Sequence, residues 1–338
     1  MKLGKQTWLF EEPPVIASRS AVVGPTEGAG PLRDDFDIVH EDLFVGEKSW
    51  EKAERKLLEE AALLTVQKAG LAMEEVDLFI GGDLLNQIIS ATFASRTFGI
   101  PYLGVFGACS TSMESLALAA LAVSTRHADR ALAGTCSHNC TAERQFRYPT
   151  EYGSQKPPTA QFTVTGAGAA LVSRTGEGPR ITSATIGRVV DMGLTDPFNM
   201  GGAMAPAAVD TIMAHLRDRN VSPGYYDLIV TGDLAAVGVS MARELFAHNG
   251  VPIEETTFDD CGLMIFDRDR QEVFAGGSGC ACSATVTYGH LLKRMERGDI
   301  GRMLVVATGS LLSPLSVQQK ESIPCIAHAV AIEYGGAK

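Results

Sequence analysis

Val76-Asp77-Leu78-Phe79-Ile80-Gly81-Gly82-Asp83-Leu84 returns 150 residues later as Tyr226-Asp227-Leu228-Ile229-Val230-Thr231-Gly232-Asp233-Leu234. Each copy is a short apolar run opened by an aspartate and closed by Gly-Asp, the pattern of a strand covered on both faces that ends in a turn. Three further pairs follow outward in the same order. Ala108-Cys109-Ser110-Thr111 matches Ala281-Cys282-Ser283-Ala284, and each leads into an apolar stretch that reads as a buried helix. Arg130-Ala131-Leu132-Ala133-Gly134 matches Arg302-Met303-Leu304-Val305-Val306, and the segment from Gly166 to Val172 matches that from Ile326 to Ile332. Four segments recurring in one order at similar offsets predict an internal duplication, with strands and helices alternating into parallel-sheet α/β layers. The turn-forming run Ser173-Arg174-Thr175-Gly176-Glu177-Gly178-Pro179 marks the seam, giving halves 1–179 and 180–338 within one compact unit.

Among 338 residues, 45% are hydrophobic and 20% charged, a globular rather than disordered balance. The longest apolar stretches, Ser115 to Val123 and Met303 to Ala307, fall far short of the roughly 20 residues a membrane-spanning helix needs. The start, MKLGKQTWLFEEPP, lacks the apolar core of a secretion signal, so a soluble protein with no signal or transmembrane segment is expected. A net charge of −11 opposes general attraction to nucleic acid, and an anionic ligand needs a local basic pocket. The seven cysteines form no zinc-type pairs and read as reduced thiols. Gly166-Ala167-Gly168 is followed by a strand rather than a helix, and Gly276 to Gly279 lacks the Lys-Ser/Thr of a phosphate loop, so no nucleotide is assigned.

Cys109 follows the apolar run Tyr102 to Phe106 and precedes Leu116 to Val123, which predicts a helix N-terminus at the thiol. Free N–H groups and the helix dipole there favour a thiolate, or a bound carboxylate. The segment from His138 to Gln161 is polar, with Tyr, Pro and Gly scattered through it, and reads as a long excursion from the sheet that carries site or interface residues.

A cysteine between a strand and a buried helix, inside a duplicated α/β chain, resembles the thiolase and β-ketoacyl synthase superfamily. Gly82 to Gln87, Phe106 to Glu114, Ser137-His138-Asn139, Thr141 to Tyr152 and Gly276 to Ser283 more closely resemble a family of thiolase-like sporulation proteins, over nearly the whole chain. That resemblance implies a duplicated five-layered α-β-α-β-α fold, often a homodimer. It implies a protein of endospore-forming bacteria, cytoplasmic or peripheral on the spore inner membrane. Such a protein binds dipicolinic acid and helps move it into the developing spore with membrane proteins of the same system, without an established turnover. Related condensing enzymes carry a His after the strand that here ends Gly232-Asp233, and an Asn near Ser278. Both are absent, and losing one such donor costs about a hundred- to a thousandfold in rate. The thiolase branch also uses a Cys near the C-terminus, where Cys325 and His328 stand. An acyltransferase with Cys109 as nucleophile and His328 or His138 as base is therefore the alternative.

A flat pyridine dicarboxylate needs donors for its anions and apolar walls for its ring. The expected ligand-binding set is Cys109 and Ser110 at the helix start, His138 and Asn139 at a strand end, and Arg144 and Arg147 as bidentate partners. Asp83, Asn86 and Ser278 complete it, Asp83 being protonated, paired or bridged by a cation if it lines the site. For either arginine a surface ion pair with Glu143 or Glu151 is equally consistent, and for Asp83 a capping role is. No resident cofactor or metal is expected, calcium entering only as part of a dipicolinate chelate.

Overall fold

Asp77 and Asp227, which open the two repeated strands, hold their neighbours in the same way. Asp77 Oδ2 accepts the backbone N–H groups of Asp129 and Arg130 at 2.8 and 3.0 Å, and Asp227 Oδ2 accepts those of Gly301 and Arg302 at 2.9 and 2.8 Å. Two separate chain segments thus repeat one local solution for joining a strand to its neighbour. The structure is a computed structural model and describes residues 1–146 and 156–335.

Each half contributes five principal strands. In the first these are β1 (Val15–Val23), β2 (Leu78–Gly82), β3 (Tyr102–Gly104), β4 (Arg130–Ser137) and β5 (Gly166–Ser173). In the second they are β6 (Arg180–Ile186), β7 (Leu228–Thr231), β8 (Thr257–Asp260), β9 (Arg302–Ser310) and β10 (Cys325–Glu333). The order is β3-β2-β4-β5-β1 in one and β8-β7-β9-β10-β6 in the other, the same pattern twice, joined by a single bridge between Val15 and Arg180. The repeated strands β2 and β7 pair parallel with both neighbours. The last strand of each half, β5 or β10, runs antiparallel to both of its neighbours, so the sheets are mixed rather than purely parallel.

The helices sort into three layers about these sheets. Helices α1 (Trp50–Lys68) and α2 (Ile89–Phe98) cover the outer face of the first sheet. Helix α3 (Thr111–Ser124) packs on β2 and β4 of its own half and also on β9 and β10 of the other. Later in the chain α4 (Asn139–Phe146) leaves the first sheet, and α5 (Met200–Arg219) and α6 (Ala235–His248) cover the outer face of the second. Helix α7 (Cys280–Thr285), continued by a π-turn over Val286–Leu291, lies beside α3. Five layers, α-β-α-β-α, result. The sequence of α1 shows why it is outer: Ala53, Leu57, Leu58, Ala61, Ala62 and Val66 make one buried stripe, while the other face is exposed. Helix α3 instead buries Met113, Leu116, Ala117, Ala119, Ala120 and Val123 on several sides, as a helix between two sheets must. Where α3 and α7 meet, Ser112 Oγ and Ser283 Oγ hydrogen-bond to each other. The central core spans these two helices and the inner sheet faces, and separate apolar clusters lie under α1–α2 and under α5–α6.

Candidate functional site

The chain entering α3 is folded tightly on itself. Ala108 adopts φ +51°, a left-handed conformation costly for a residue with a Cβ. The turn is closed by Gly107 O, which accepts Ser110 N–H at 3.1 Å and Ser110 Oγ–H at 2.6 Å. Ala108 O accepts Thr111 N–H at 3.2 Å and Thr111 Oγ1–H at 2.6 Å, while Thr111 Oγ1 takes Gly107 N–H at 3.0 Å. The Ser110 and Thr111 N–H groups are therefore spent on the turn itself, not held out to a ligand. Cys109, at the corner, is left as the wall of a cleft.

That cleft has about 560 Å³ of empty space, part of it open to solvent. Its apolar walls are Leu84 after β2, Phe106 and Ala108 beside Cys109, Ala142 and Phe146 of α4, and Pro197, Met200 and Leu312 from the second half. Three hydroxyl residues complete it: Thr163, Ser278 and Ser310. The strand pair Phe162–Thr163 and Gly277–Ser278 brings two of them together from segments more than a hundred residues apart. No charged side chain is among the described lining residues.

Behind Cys109 lies Asp233, the residue that closes the second repeated strand. It is buried and accepts Thr308 Oγ1–H at 2.6 Å, Gly279 N–H at 3.1 Å and Ser278 Oγ–H at 3.4 Å. Gly279 reaches this position at φ +97°, where a side chain would also run into Ser137 Oγ. Burial pushes the Asp233 carboxyl up to about 6, its donors pulling the other way. Cys109 is held well above the usual thiol range by burial, then by the charges of Asp233 and Cys280. Its position before a helix had favoured a thiolate. Desolvation and an adjacent carboxylate outweigh the dipole, and the thiol stays protonated.

Of the other candidate residues that the structure describes, Ser278 lies in the cleft and the rest lie around it. Ser278 lines it with Cys109, whereas Ser110 is buried on Gly107 O. Cys325 is one strand away, paired in register with Ser310 and 3.8 Å from its hydroxyl. Burial first raises its thiol to about 12. His328, on β10, takes Gly187 N–H at 3.3 Å on Nδ1, and burial lowers it to about 4. His138 accepts Cys140 N–H on Nδ1 and donates from Nε2 to Leu43 O at 2.8 Å, a neutral tautomer whose basicity burial lowers further. Asn139 N–H bonds Thr165 Oγ1 at 3.0 Å, and Asn86, exposed, bonds Gln145 Oε1 through its N–H at 3.0 Å. The Arg144 guanidinium pairs with Glu51 at 2.7 Å and stacks over Trp50, outside the lining. Arg147 lies outside the described residues.

Asp83, the repeat mate of Asp233, is buried and caps the turn after β2. Its oxygens accept Leu85 N–H at 2.8 Å and Ala91 N–H at 2.7 Å, and burial raises it to about 6. Glu54 of α1 is its neighbour, raised well above the carboxylate range by burial and then by the Asp83 charge, and it accepts the Thr141 hydroxyl of α4. These groups brace the Leu84 and α4 walls from outside. Sequence reasoning had linked Asp233 to Asp83 without assigning it to the site, and had not found Thr163 or Ser310. The repeat itself was the available signal for Asp233.

The profile of the family described as stage V sporulation protein AD matches residues 4–333. The stage V sporulation protein AD of Bacillus subtilis (strain 168) is 54% identical over 337 residues, covering 99% of each chain. Among solved structures, the 3-oxoacyl-[acyl-carrier-protein] synthase III of Aquifex aeolicus VF5 is similar at TM-score 0.58 and 16% identity, covering 95% of this chain and 100% of that one. Cerulenin-bound OleA of Xanthomonas campestris is similar at TM-score 0.62 and 14% identity, covering 97% of this chain and 100% of that one. The fold is thiolase-like.

Proposed function

The chain belongs to the stage V sporulation protein AD family, and from that membership we propose that it binds dipicolinic acid in the cleft at Cys109. In this reading it serves dipicolinate uptake into the developing spore. No helix of the described residues is long and apolar enough to cross a membrane, and membrane proteins of the same sporulation system carry the translocation. The observation that carries the binding role is the neutral cleft: apolar walls suited to a flat ring, three hydroxyls, a protonated thiol, and no lysine or arginine among the described lining residues.

That lining also sets the form of the ligand. Burying two uncompensated carboxylates costs several kcal/mol per ion. A 1:1 calcium chelate of dipicolinate has no net charge, and the oxygen-seeking cation suits the hydroxyls of Thr163, Ser278 and Ser310. Binding without turnover is the reading, since the two candidate imidazoles, His138 and His328, are tied to backbone and lie off the lining. Calorimetric titration tests it. Saturable binding is expected with dipicolinate plus equimolar calcium, at least ~10-fold tighter than with dipicolinate alone, because ~1.4 kcal/mol of uncompensated charge burial already corresponds to that factor. Ala142→Trp, which fills the cleft, abolishes it, and Arg144→Ala leaves it within about twofold. No saturable heat with folded wild-type protein in either condition overturns the reading.

The proposed assembly is a homodimer formed at the edge of the first sheet. Among the described residues strand β3 has a partner on one side only, and Leu103, Ile89, Phe93 and Phe106 are exposed. An unpaired edge beside apolar side chains is a pairing surface. Light scattering after size exclusion is expected to give a dimer for the wild type and a monomer for Leu103→Glu; a wild-type monomer at micromolar concentration rejects it.

A further inference from the structure

Resting on the chelate reading above, we infer that the cleft has two chemically distinct ends, Thr163 and Ser278 seating the cation and Ser310 taking a carboxylate of the same ligand. Among the described residues no group of three His, Cys, Asp or Glu side chains could hold a metal ion by itself, so the cation arrives inside its chelate. Pyridine-2,6-dicarboxylate gives calcium a ring nitrogen and two carboxylate oxygens, three of the roughly six to eight positions that the ion fills. The remainder are open to neutral oxygens of the protein or to water. Thr163 and Ser278 are partners in register on two parallel strands, and both line the cleft, so their side chains leave the ribbon on one face. Adjacent strands lie about 4.8 Å apart, and two Ca–O contacts of about 2.4 Å span that gap across one ion.

Proton positions separate the two ends. The Ser278 hydroxyl donates to Asp233 Oδ2 at 3.4 Å, and the same carboxylate takes Gly279 N–H at 3.1 Å and Thr308 Oγ1–H at 2.6 Å. With its one proton directed at Asp233, the Ser278 oxygen turns only lone pairs to the cleft, which suits a cation and not an anion. Asp233 is buried, and no lysine, arginine or histidine pairs with it among the described residues, so its negative charge favours a cation on the cleft side of Ser278. Thr308 on β9 and Gly279 at the start of α7 hold that carboxylate in place. Ser310 differs. No carboxylate accepts from it among the described residues; its neighbour is the Cys325 thiol, 3.8 Å away, whose sulfur is a weak acceptor. The Ser310 proton is thereby left for a stronger acceptor, and a carboxylate oxygen of the ligand is one. One end accepts and the other donates, so a ligand carrying both a cation and carboxylates has a preferred direction in the cleft.

Calorimetric titration with dipicolinate, with and without equimolar calcium, gives an affinity ratio that a loosened cleft leaves unchanged, because loosening weakens both forms alike. Thr163→Val and Ser278→Ala are each expected to cut the wild-type calcium advantage by about fivefold. Asp233→Asn, which keeps the size and an acceptor for Gly279 N–H, is expected to cut it at least as far. Ser310→Ala is expected to weaken both forms together and to hold the ratio within about twofold. Terbium in place of calcium reads the seat directly, since luminescence lifetimes of the bound terbium chelate in light and heavy water count the waters on the metal. Ser278→Ala should add about one such water in place of the lost hydroxyl, and Ser310→Ala none. An unchanged ratio in both Thr163→Val and Ser278→Ala, or an equal fall in Ser310→Ala, overturns this orientation and leaves chelate binding standing. No calcium advantage in the folded wild type, or no saturable heat at all, rejects the chelate reading itself and the orientation with it.

Discussion

Gly309→Ala is expected to destabilise the protein by about 3 kcal/mol and to abolish ligand binding in the cleft, although the change adds only one methyl group. A Cβ at this position would lie 2.1 Å from the Gly107 carbonyl oxygen and 3.1–3.2 Å from the backbone nitrogens of Ser110 and Cys109. Backbone, not a flexible side chain, is what it meets. Strand β9 therefore presses directly against the Cys109 turn, which is already strained at Ala108 and closed by its own hydrogen bonds. To admit the methyl, either the turn unwinds or β9 shifts, and Ser310 and Leu312 move with it away from the lining. Chemical denaturation and titration read the two effects. Gly224→Ala, where the added carbon finds only ordinary contacts near Glu255, is the control and should cost less than ~1 kcal/mol. A Gly309→Ala protein as stable as that control, with binding intact, shows that the turn has slack.

The repeat made most of this architecture legible. Val76 to Leu84 and Tyr226 to Leu234 are β2 and β7 with their flanks, and the two aspartates that open them clamp equivalent neighbours. Cys109 before an apolar helix was also readable, because the run after it is apolar without a polar face. Strand direction was not, since an apolar run reads the same parallel or antiparallel; β5 and β10 are reversed. The arginines show a different limit. The polar stretch after His138 opens with α4, and in a helix Ala142 and Phe146, four residues apart, share a face. Arg144 between them points to the opposite side, onto Glu51 and Trp50. Recognising the helix would have turned Arg144 outward. The local signal at Cys109, a helix start that favours a thiolate, pointed the wrong way: burial raises the thiol first, and the charge of Asp233, more than a hundred residues away in sequence, adds to it.

Thermal stability is expected to fall as pH rises from about 6.5 to 8, by on the order of 1–3 kcal/mol, and to be greatest near pH 4. Six carboxyls, five of them buried and Glu114 half-buried, carry the effect. Glu27, Glu114 and Asp260 are raised to about 7, Asp83 and Asp233 to about 6, and Glu54 well above its ordinary value, in each case first by burial. A folded-state value raised above the unfolded one means that the native protein binds protons the unfolded chain has released. The stability this contributes is complete below about pH 4 and is lost as pH rises through the folded values. Three histidines work in the opposite sense. His215 is lowered to about 3, His328 to about 4, and His138 below its ordinary value, all first by burial. The unfolded chain therefore gains protons at these rings as pH drops below about 6.5, which erodes stability on the acid side. Six groups outweigh three down to about pH 4, where the unfolded carboxyls are themselves largely protonated and the histidines take over. Above pH 6.5 the histidines contribute little and the carboxyls act alone, so this window carries the test. Melting temperatures at constant ionic strength should decline across it, and Glu54→Gln, which removes one member of the Glu54–Asp83 pair, should flatten the decline. A melting temperature that climbs from pH 6.5 to 8 requires these carboxyls to be ionised in the native state, with cations or solvent reaching them.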